Sequence, residues 1–272
     1  MKVAVIGHTG MGGQALTDVL LGRGHEVTGI ARTADHVTSR PGLTSVVGDI
    51  WDGAKLAEQL AGHDVVVSMF SGGHEVDMGV YYRQAEGTRR IIKAFKQARG
   101  RYLVYIGGAA SLYVKPGVQM FDDERFPTWY FGTHPPVHLR WLADIIGPAG
   151  AFFVEAAERK EQGVVNPGES DPELEAAVKD WKQVPLLEGC RIALDLFEGR
   201  SDFRWSFLSP PWRYRPGEGT GSYELGVDFM IFKDGIPSGI AVPDLALAVA
   251  DEVENQALVY KHWTCAGMQQ DW

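Results

Sequence analysis

Short apolar runs alternate with amphipathic stretches along the first 106 residues. The apolar runs predict β-strands at Lys2–Ile6, His25–Ala31, Thr44–Val47, Asp64–Met69 and Arg101–Ile106. Apolar residues spaced three or four apart predict helices between them, at Gly13–Arg23, Asp52–Leu60 and Val80–Ala98. The run that begins at Asp64 is apolar almost throughout, as expected for a strand buried on both faces. This alternation predicts an α/β fold with a doubly wound parallel sheet of the Rossmann type.

The stretch 115–185 interrupts this alternation. It is rich in proline and aromatic residues, and Trp129-Tyr130-Phe131 is its densest aromatic run. Asp171-Pro172 is typical of a helix start, with a capping side chain followed by proline, and predicts a helix to about Lys182. Between 155 and 180 there are eight acidic and three basic residues, which we interpret as a solvated face. The segment is therefore predicted to be an inserted, mainly helical cap.

The strand and helix pattern returns after the cap. The predicted elements are a helix at Leu186–Phe197, a strand at Arg204–Leu208, a loop at Trp212–Tyr223, a helix at Pro243–Leu258 and a strand at His262–Ala266. We therefore expect residues 1–114 and 186–272 to form one Rossmann domain with C-terminal substrate elements, and residues 115–185 to form a lid.

Composition narrows the class of protein. The chain has 272 residues, of which 45% are hydrophobic, and its net charge is −9. It has no cluster of basic residues, so we expect no nucleic-acid partner. Its apolar runs are far shorter than the roughly 18 residues of a membrane span, so we expect no membrane partner. Cys190 and Cys265 lie far apart, which favours a reducing, cytoplasmic location, and no residue spacing indicates a metal site.

The strongest chemical signal is the loop Gly7-His8-Thr9-Gly10-Met11-Gly12-Gly13. It directly follows a predicted strand and opens a predicted helix. Glycines at the first, fourth and seventh positions allow a tight turn, close approach of a phosphate, and packing of the helix on the strand. Backbone N–H groups at the positive end of the helix then bind a pyrophosphate. The loop predicts a dinucleotide site, and the alternative is a tight turn without a ligand.

The end of the second strand indicates which dinucleotide binds. A site for NAD usually places an acid there to bind the ribose 2′-hydroxyl. This strand instead ends in Arg32 and Thr33, and the first acid is Asp35. A guanidinium and a hydroxyl suit a 2′-phosphate, so we expect NADP(H) to be preferred over NAD(H). The alternative is that Arg32 is an ordinary surface arginine.

Several motifs occur together in a characteristic order. They are the glycine loop, Arg32-Thr33, Gly48-Asp49-Ile50, Gly107-Gly108-Ala109-Ala110-Ser111-Leu112, Trp205–Pro211, Gly219–Tyr223 and Ile240–Ala246. In these motifs the chain resembles the atypical short-chain dehydrogenase/reductases. Within them it is most similar to the NmrA-like, NAD(P)H-binding group that includes flavin and biliverdin reductases. The resemblance covers about 1–114 and 186–266, and the stretch between them is longer than is usual for the group.

The resemblance implies a group of cofactor contacts after each of four strands. In chain order these are Asp49 and Ile50 beside the adenine; Met69, Phe70, Ser71 and Gly72 beneath the cofactor; Gly108, Ala109 and Ser111 near the nicotinamide; and Pro210 and Pro211 continuing that wall. Open α/β sheets bind ligands beyond the carboxyl ends of their strands, which agrees with these positions.

The proton donor is less clearly indicated. The family typically carries Tyr-x-x-x-Lys, but Tyr113 and Lys115 have the wrong spacing, and where the spacing recurs His134 replaces the lysine. We consider three catalytic candidates: Ser111 as a hydrogen-bond donor to a substrate carbonyl, Tyr113 as a proton donor, and His134 as a general acid. The alternatives are a turn serine, a packing tyrosine and, for His134 and His138, exposed loop histidines.

These observations favour an NADPH-dependent reductase that transfers hydride to a carbonyl, imine or conjugated double bond. Aromatic residues in the cap predict a pocket for an aromatic or apolar small molecule, or else the cap's own core. One alternative is a non-catalytic, NADP(H)-binding redox sensor of the NmrA type, which the missing Tyr-x-x-x-Lys fits. Another is an NAD-dependent epimerase or dehydratase. The helix Val80–Ala98 could form a homodimer, although packing on the sheet explains its apolar stripe equally well.

Overall fold

The computed structural model describes residues 1–33, 40–75, 77–166, 168–181 and 184–268. The strands in this part of the chain are β1 (Lys2–Ile6), β2 (Glu26–Ala31), β3 (Leu43–Val47), β4 (Val65–Ser68), β5 (Leu103–Ile106), β6 (Tyr113–Lys115), β7 (Val118–Gln119), β8 (Trp205–Leu208), β9 (Arg213–Arg215), β10 (Tyr223–Val227), β11 (Phe232–Lys233), β12 (Ile236–Pro237), β13 (Gly239–Ala241) and β14 (His262–Gly267). The helices are α1 (Met11–Gly22), α2 (Gly53–Leu60), α3 (Met78–Gln97), α4 (Thr128–Gly132), α5 (Pro136–Ile146), α6 (Ala151–Glu161), α7 (Pro172–Val178), α8 (Pro185–Asp195) and α9 (Val242–Asn255).

The central sheet confirms the predicted fold class. Its eight strands have the order β10-β14-β8-β5-β4-β1-β2-β3. All neighbours are parallel except β10, which runs antiparallel to β14. The chain thus starts in the middle of the sheet, builds outward to β3, and returns to continue on the other side. This is the doubly wound Rossmann arrangement, in which the order reverses between β1 and β4.

Alternate residues of each central strand supply the two faces of the sheet. Val3 and Val5 of β1 pack in one core cluster, while Ala4 and Ile6 pack in a second. Helices α1 and α9 contact each other on the first face, and α3 lies between α2 and α8 on the second. Because both faces are covered, the strands are apolar throughout, which is why they were readable as continuous apolar runs.

The helix α3 is covered within the chain. Its buried side includes Val80, Ile91 and Phe95 and packs along α8 and α2. This packing accounts for the apolar stripe of the helix, for which the sequence offered packing within the chain or a homodimer contact as explanations. In the described ranges, no helix combines the length and apolar character needed to cross a bilayer.

The cap has a core of its own, separate from the two faces of the sheet. Buried side chains from α4, α5, α6 and α7 form it, among them Tyr130, Leu139 and Phe153. The cluster also takes in Met230 and Trp212, which lie outside 115–185. The core of the cap is therefore built from the inserted segment together with part of the chain that follows β8.

Two predicted helices end earlier than expected, and one predicted loop contains a strand. The helix that begins after Asp171 ends at Val178, and the predicted end at Lys182 lies outside the described residues. The last helix ends at Asn255 because Gln256 takes a left-handed conformation (φ 47°) and caps it. Within the predicted loop 212–223, β9 pairs with β13 in parallel.

Candidate functional site

The glycine loop closes tightly between β1 and α1. Gly7 has a φ of +79°, which favours glycine, and its N–H donates to the Ile30 carbonyl oxygen at 2.9 Å. A β-carbon on Gly13 would lie 2.2 Å from the Gly7 oxygen and 2.7 Å from His8 Cα. Only glycine lets the helix start so close to the strand. This is the geometry that a dinucleotide-binding turn needs.

The start of α1 has the features of a phosphate site. Gly10 is its N-cap and offers no side chain to the first backbone N–H groups, which leaves them for a ligand. A β-carbon on Gly12 would lie 2.5 Å from Met69 Cε and 2.7 Å from Tyr214 Oη. The Tyr214 hydroxyl is buried and has no hydrogen-bond partner among the described residues. A buried orphan hydroxyl beside a bare helix start fits a dinucleotide pyrophosphate.

The predicted contacts for the adenosine half lie at the ends of β2 and β3. Arg32 and Thr33 follow β2 directly and are exposed, as a 2′-phosphate site requires. Asp49 is exposed and accepts a hydrogen bond from the Trp51 N–H at 2.9 Å, while Ile50 is buried. Asp35, the first acidic residue after this strand in the sequence, lies outside the described residues. The two loops are neighbours because β2 and β3 pair in parallel.

His8 fills space rather than reaching into the groove. A β-carbon on Gly29 would lie 2.5 Å from its ring, so the glycine in β2 makes room for the imidazole. The ring is buried, and burial lowers the pKa of His8, with a further lowering from the charge of Arg40. Its position therefore fits a packing role. Its Nε2 nonetheless lacks a partner within the described chain.

A cavity of about 430 Å³ lies over the carboxyl ends of β1, β4 and β5. Its lining contains nine of the predicted cofactor residues, namely Gly10, Met11, Gly12, Gly13, Met69, Phe70, Ser71, Gly108 and Pro210. The loop after β4 is held in place because the Gly72 N–H donates to Gln84 Oε1 at 2.7 Å. These nine residues thus lie along one groove.

A second cavity, of about 330 Å³, lies between this groove and the cap. Gly107, Gly108, Pro210 and Tyr214 line both cavities, so the two share a wall. Ala109 and Pro211, both predicted near the nicotinamide, line the second one. The cap contributes mainly apolar and aromatic side chains to it, among them Phe131, Trp141, Leu142, Ile145 and Trp181. Aromatic residues therefore serve both purposes considered: Tyr130 and Phe153 form the cap core, and others line the pocket.

Two of the predicted catalytic residues lie away from both cavities. Ser111 is fully buried, and its hydroxyl donates to the Gly108 carbonyl oxygen at 2.8 Å and contacts Ser209 Oγ at 3.2 Å. It is a satisfied turn serine, and the expectation that it contacts substrate does not fit this position. Tyr113 packs against Phe229 with ring centroids 6.2 Å apart. Neither residue is among those that line the cavities.

His134, the third predicted catalytic residue, does line the second cavity. Its ring stacks on His138 with centroids 4.2 Å apart and planes 8° apart, and both residues are only 1% exposed. The interpretation of these residues as exposed loop histidines is therefore wrong. Burial lowers the pKa of both imidazoles well below the ordinary value, and the charge of Arg213 lowers both further. The pair is thus neutral near pH 7, suited to hydrogen bonding rather than to acting as a charged acid.

The sequence analysis did not identify Tyr214, which lines both cavities, or its buried neighbour Arg213. They sit on β9, a three-residue strand in which Arg213 and Arg215 are buried while Tyr214 faces the cavities. The alternation of arginine and tyrosine from 213 to 215 was the available signal. Among the described residues β9 pairs with β13, which lies more than 20 residues further along the chain, so nothing nearby in the sequence marked it as a strand.

Comparisons with known proteins agree with this geometry. Residues 7–133 match the family model described as NAD(P)H-binding. The uncharacterized protein YwnB of Bacillus subtilis is 27% identical over 258 residues, which cover 94% of this chain and 93% of YwnB. A 3-beta-hydroxysteroid dehydrogenase from Mycolicibacterium neoaurum is 36% identical over 138 residues, or 46% of this chain and 37% of the dehydrogenase.

Solved structures share the fold over nearly the whole chain. A candidate epimerase from Bacteroides thetaiotaomicron has a TM-score of 0.71 at 24% identity, and the match covers 99% of this chain and 98% of the epimerase. A candidate NADH-flavin reductase from Streptococcus pneumoniae has a TM-score of 0.68 at 20% identity, and the match covers 98% of this chain and 99% of the reductase. A short-chain dehydrogenase/reductase from Veillonella parvula, in complex with NADP, has a TM-score of 0.59 at 14% identity, and the match covers 100% of this chain and 96% of the Veillonella protein.

The comparisons agree with the family resemblance read from the motifs. Residues 7–133 match a family model described as NAD(P)H-binding, and the solved structures share a Rossmann fold with this chain.

Proposed function

We propose that this protein is an NADPH-dependent reductase that transfers hydride to a carbonyl, imine or conjugated double bond of an aromatic or apolar small molecule. One observation carries the proposal: an apolar, aromatic-lined cavity of about 330 Å³ shares a wall with the dinucleotide groove. Hydride transfer requires a substrate pocket that opens directly onto the cofactor site. The shared wall at Gly107, Gly108, Pro210 and Tyr214 meets that requirement.

The residues of the chain bind, orient and exclude water. When bound, the nicotinamide supplies the hydride, so the protein needs little chemistry of its own. The glycine loop holds the pyrophosphate, and the small residues Gly107 and Gly108 keep the shared wall thin. Trp141 and Trp181 exclude water from the substrate side. Burial raises the pKa of Tyr214, so its hydroxyl keeps its proton and acts as a hydrogen-bond donor.

The preference for NADPH is supported by the end of β2. Arg32 and Thr33 are exposed directly after the strand, where the ribose 2′ position of a bound dinucleotide lies in this fold. A guanidinium makes charge-assisted hydrogen bonds to phosphate but gains nothing comparable from a hydroxyl. The preference should therefore depend on Arg32.

Titration with NADPH and NADH, followed by NADPH oxidation against flavins, quinones, aromatic ketones and enones, tests the proposal. We expect tighter binding of NADPH and turnover of one aromatic acceptor class. Tight binding without turnover of any acceptor would favour the NmrA-type redox sensor instead. Copurified, oxidised NAD would favour an epimerase or dehydratase.

A matched pair of variants tests the location of the substrate. Trp181 lines the smaller cavity and not the groove, whereas Trp129 lies in the cap without lining either. Trp181→Ala should raise the KM for the acceptor at least tenfold and leave the Kd for NADPH unchanged. Trp129→Ala should change neither constant by more than about twofold. Equal effects of the two substitutions would remove the substrate from this cavity.

A further inference from the structure

Arg213 carries a positive charge that the fold does not balance. Its side chain is fully buried, and Nη2 donates to the Thr133 carbonyl oxygen. Within the described ranges, Nε and Nη1 have no hydrogen-bond partner and no carboxylate forms an ion pair with the guanidinium. Burial lowers the pKa of Arg213 to about 10, which still leaves it charged at neutral pH. Burying a charge without a partner is costly, so this position indicates a site for an anion.

The two stacked histidines lie beside this charge. His134 directly follows Thr133, the residue whose carbonyl accepts from Arg213, and it stacks on His138 and on Trp212. The Nδ1 atoms of both histidines are buried and, like the guanidinium nitrogens, lack partners in the described chain. Four orphan polar atoms from three buried side chains thus occur together, and both imidazoles line the substrate cavity.

Other charges nearby do not cancel that of Arg213. Lys160 is buried and donates to the Glu169 carbonyl oxygen, and Asp171 faces it. Asp171 is also paired with Arg159 at 3.0 Å, so this carboxylate is already engaged. The acids in the cavity wall, Glu75 and Asp180, are both exposed to solvent, where water and salt screen their charge. The charge of Arg213 beside the two histidines is therefore not cancelled by these groups.

We propose that His134 and His138, which line the substrate cavity, form an anion-binding site together with the buried charge of Arg213 beside them, and that this site takes the carboxylate of an aromatic ligand. The inference rests on the proposed function, because it assigns the carboxylate to the substrate. The rest of the cavity explains the aromatic part, since Phe131, Trp141 and Trp181 surround the space next to the histidines. A carboxylate accepts several hydrogen bonds at once, which is what the orphan groups require.

A binding experiment on the NADPH-loaded protein tests this without turnover. The probes are 2-naphthoate and 2-naphthamide, which share shape and ring system but differ in charge. Quenching of tryptophan fluorescence reports binding, because Trp141, Trp181 and Trp212 line the cavity. We expect 2-naphthoate to bind at least tenfold more tightly than the amide. Equal Kd values for the two probes would overturn the proposal.

Two arginine variants separate the site from net charge. Arg213→Gln should reduce the preference for 2-naphthoate to less than about threefold, with the Kd for the amide unchanged. Arg140→Gln removes an exposed arginine from the same cap, one paired with Glu161 at 2.6 Å, and should leave the preference intact. Loss of the preference in Arg140→Gln, or its survival in Arg213→Gln, would contradict the proposal.

The design also keeps two failure modes apart. If Arg213→Gln does not fold, as shown by loss of NADPH binding, His138→Gln takes its place and should reduce the preference at least threefold. An unchanged preference in that variant would contradict the proposal. If no acceptor oxidises NADPH, the reductase proposal fails, but the preference for the carboxylate probe is still measured and decides the anion site on its own.

Discussion

The hydroxyl of Tyr214 lies against Gly12 at the start of α1, where a β-carbon on the glycine would come within 2.7 Å of Tyr214 Oη. The strand β9 and the glycine loop are 200 residues apart in the chain yet form one wall of the dinucleotide groove. The absence of a side chain at Gly12 makes this approach possible. The phenolic hydroxyl therefore lies beside the start of α1, where backbone N–H groups would bind a pyrophosphate.

Tyr214→Phe should weaken NADPH binding without weakening the fold. The hydroxyl has no partner within the described chain, so its removal costs the folded protein no hydrogen bond. A hydrogen bond to a charged phosphate is lost in the complex, which should raise the Kd for NADPH roughly tenfold by calorimetry. Tyr223→Phe is the control, since that hydroxyl donates to Asp251 and lines neither cavity. It should lower stability and leave the Kd unchanged. An unchanged Kd in Tyr214→Phe would remove this hydroxyl from the cofactor site.

Arg32→Ala should change the selectivity between the two dinucleotides. We expect the Kd for NADPH to rise about 10- to 100-fold, because charge-assisted hydrogen bonds to a 2′-phosphate disappear. The Kd for NADH should change less than about twofold. Arg23→Ala removes an arginine paired with Asp251 and Glu254 at the other end of α1, and it should affect neither. Equal losses for NADPH and NADH in Arg32→Ala would show that Arg32 does not read the 2′ position.

The sheet could be predicted from the sequence because its signals are local. Buried parallel strands are continuous apolar runs, and the glycine loop follows one of them directly, as in Lys2–Ile6 and Gly7–Gly13. Every strand and helix predicted in the first 106 residues is present, with ends within two residues of the prediction. Part of the cofactor groove follows from the same signals, since residues 10–13, residues 69–71, Gly108 and Pro210 all lie at the ends of predicted strands or shortly after them.

The substrate side could not be predicted in the same way, because long-range contacts build it. Arg213 and Tyr214 acquire their positions from the pairing of β9 with β13 and from contact with Thr133 and the glycine loop. The burial of His134 depends on stacking between Trp212 and His138, which neither local spacing nor composition reveals. The sequence predicted Ser111 as a substrate contact because it follows β5. In the structure its hydroxyl contacts Ser209, which follows β8, the strand next to β5 in the sheet.

Acid should destabilise the folded state through the stacked histidines. Burial lowers the pKa of His138 well below 6.5 in the folded state, whereas the unfolded chain keeps a value near 6.5. Below pH 6.5 the unfolded state therefore binds a proton at His138 that the folded state does not bind. The free energy of unfolding consequently falls as the pH falls. One such histidine contributes up to about 1.4 kcal/mol per pH unit.

Urea denaturation of the wild type and His138→Gln at pH 8.5, 7.5, 6.5 and 5.0 measures this contribution. The wild type should lose more unfolding free energy than the variant between pH 6.5 and 5.0, by up to about 1.4 kcal/mol per unit. Above pH 7.5 the two curves should run parallel, since both states are then neutral at this position. Parallel curves at all pH values would mean that His138 is protonated equally in the folded and unfolded chain.

Gly13→Ala should damage both the fold and the cofactor site, because the added methyl group meets backbone. The β-carbon would lie 2.2 Å from the Gly7 oxygen and 2.7 Å from His8 Cα, and neither atom can move without shifting the loop. We expect a loss of about 1–3 kcal/mol in unfolding free energy, typical of overpacking, together with a rise in the Kd for NADPH of at least tenfold. Gly22→Ala on the same helix meets no atom within 4 Å and should stabilise by up to about 1 kcal/mol, with no change in the Kd. If Gly13→Ala bound NADPH as tightly as the wild type, the close approach of α1 to β1 would not be what shapes the pyrophosphate site.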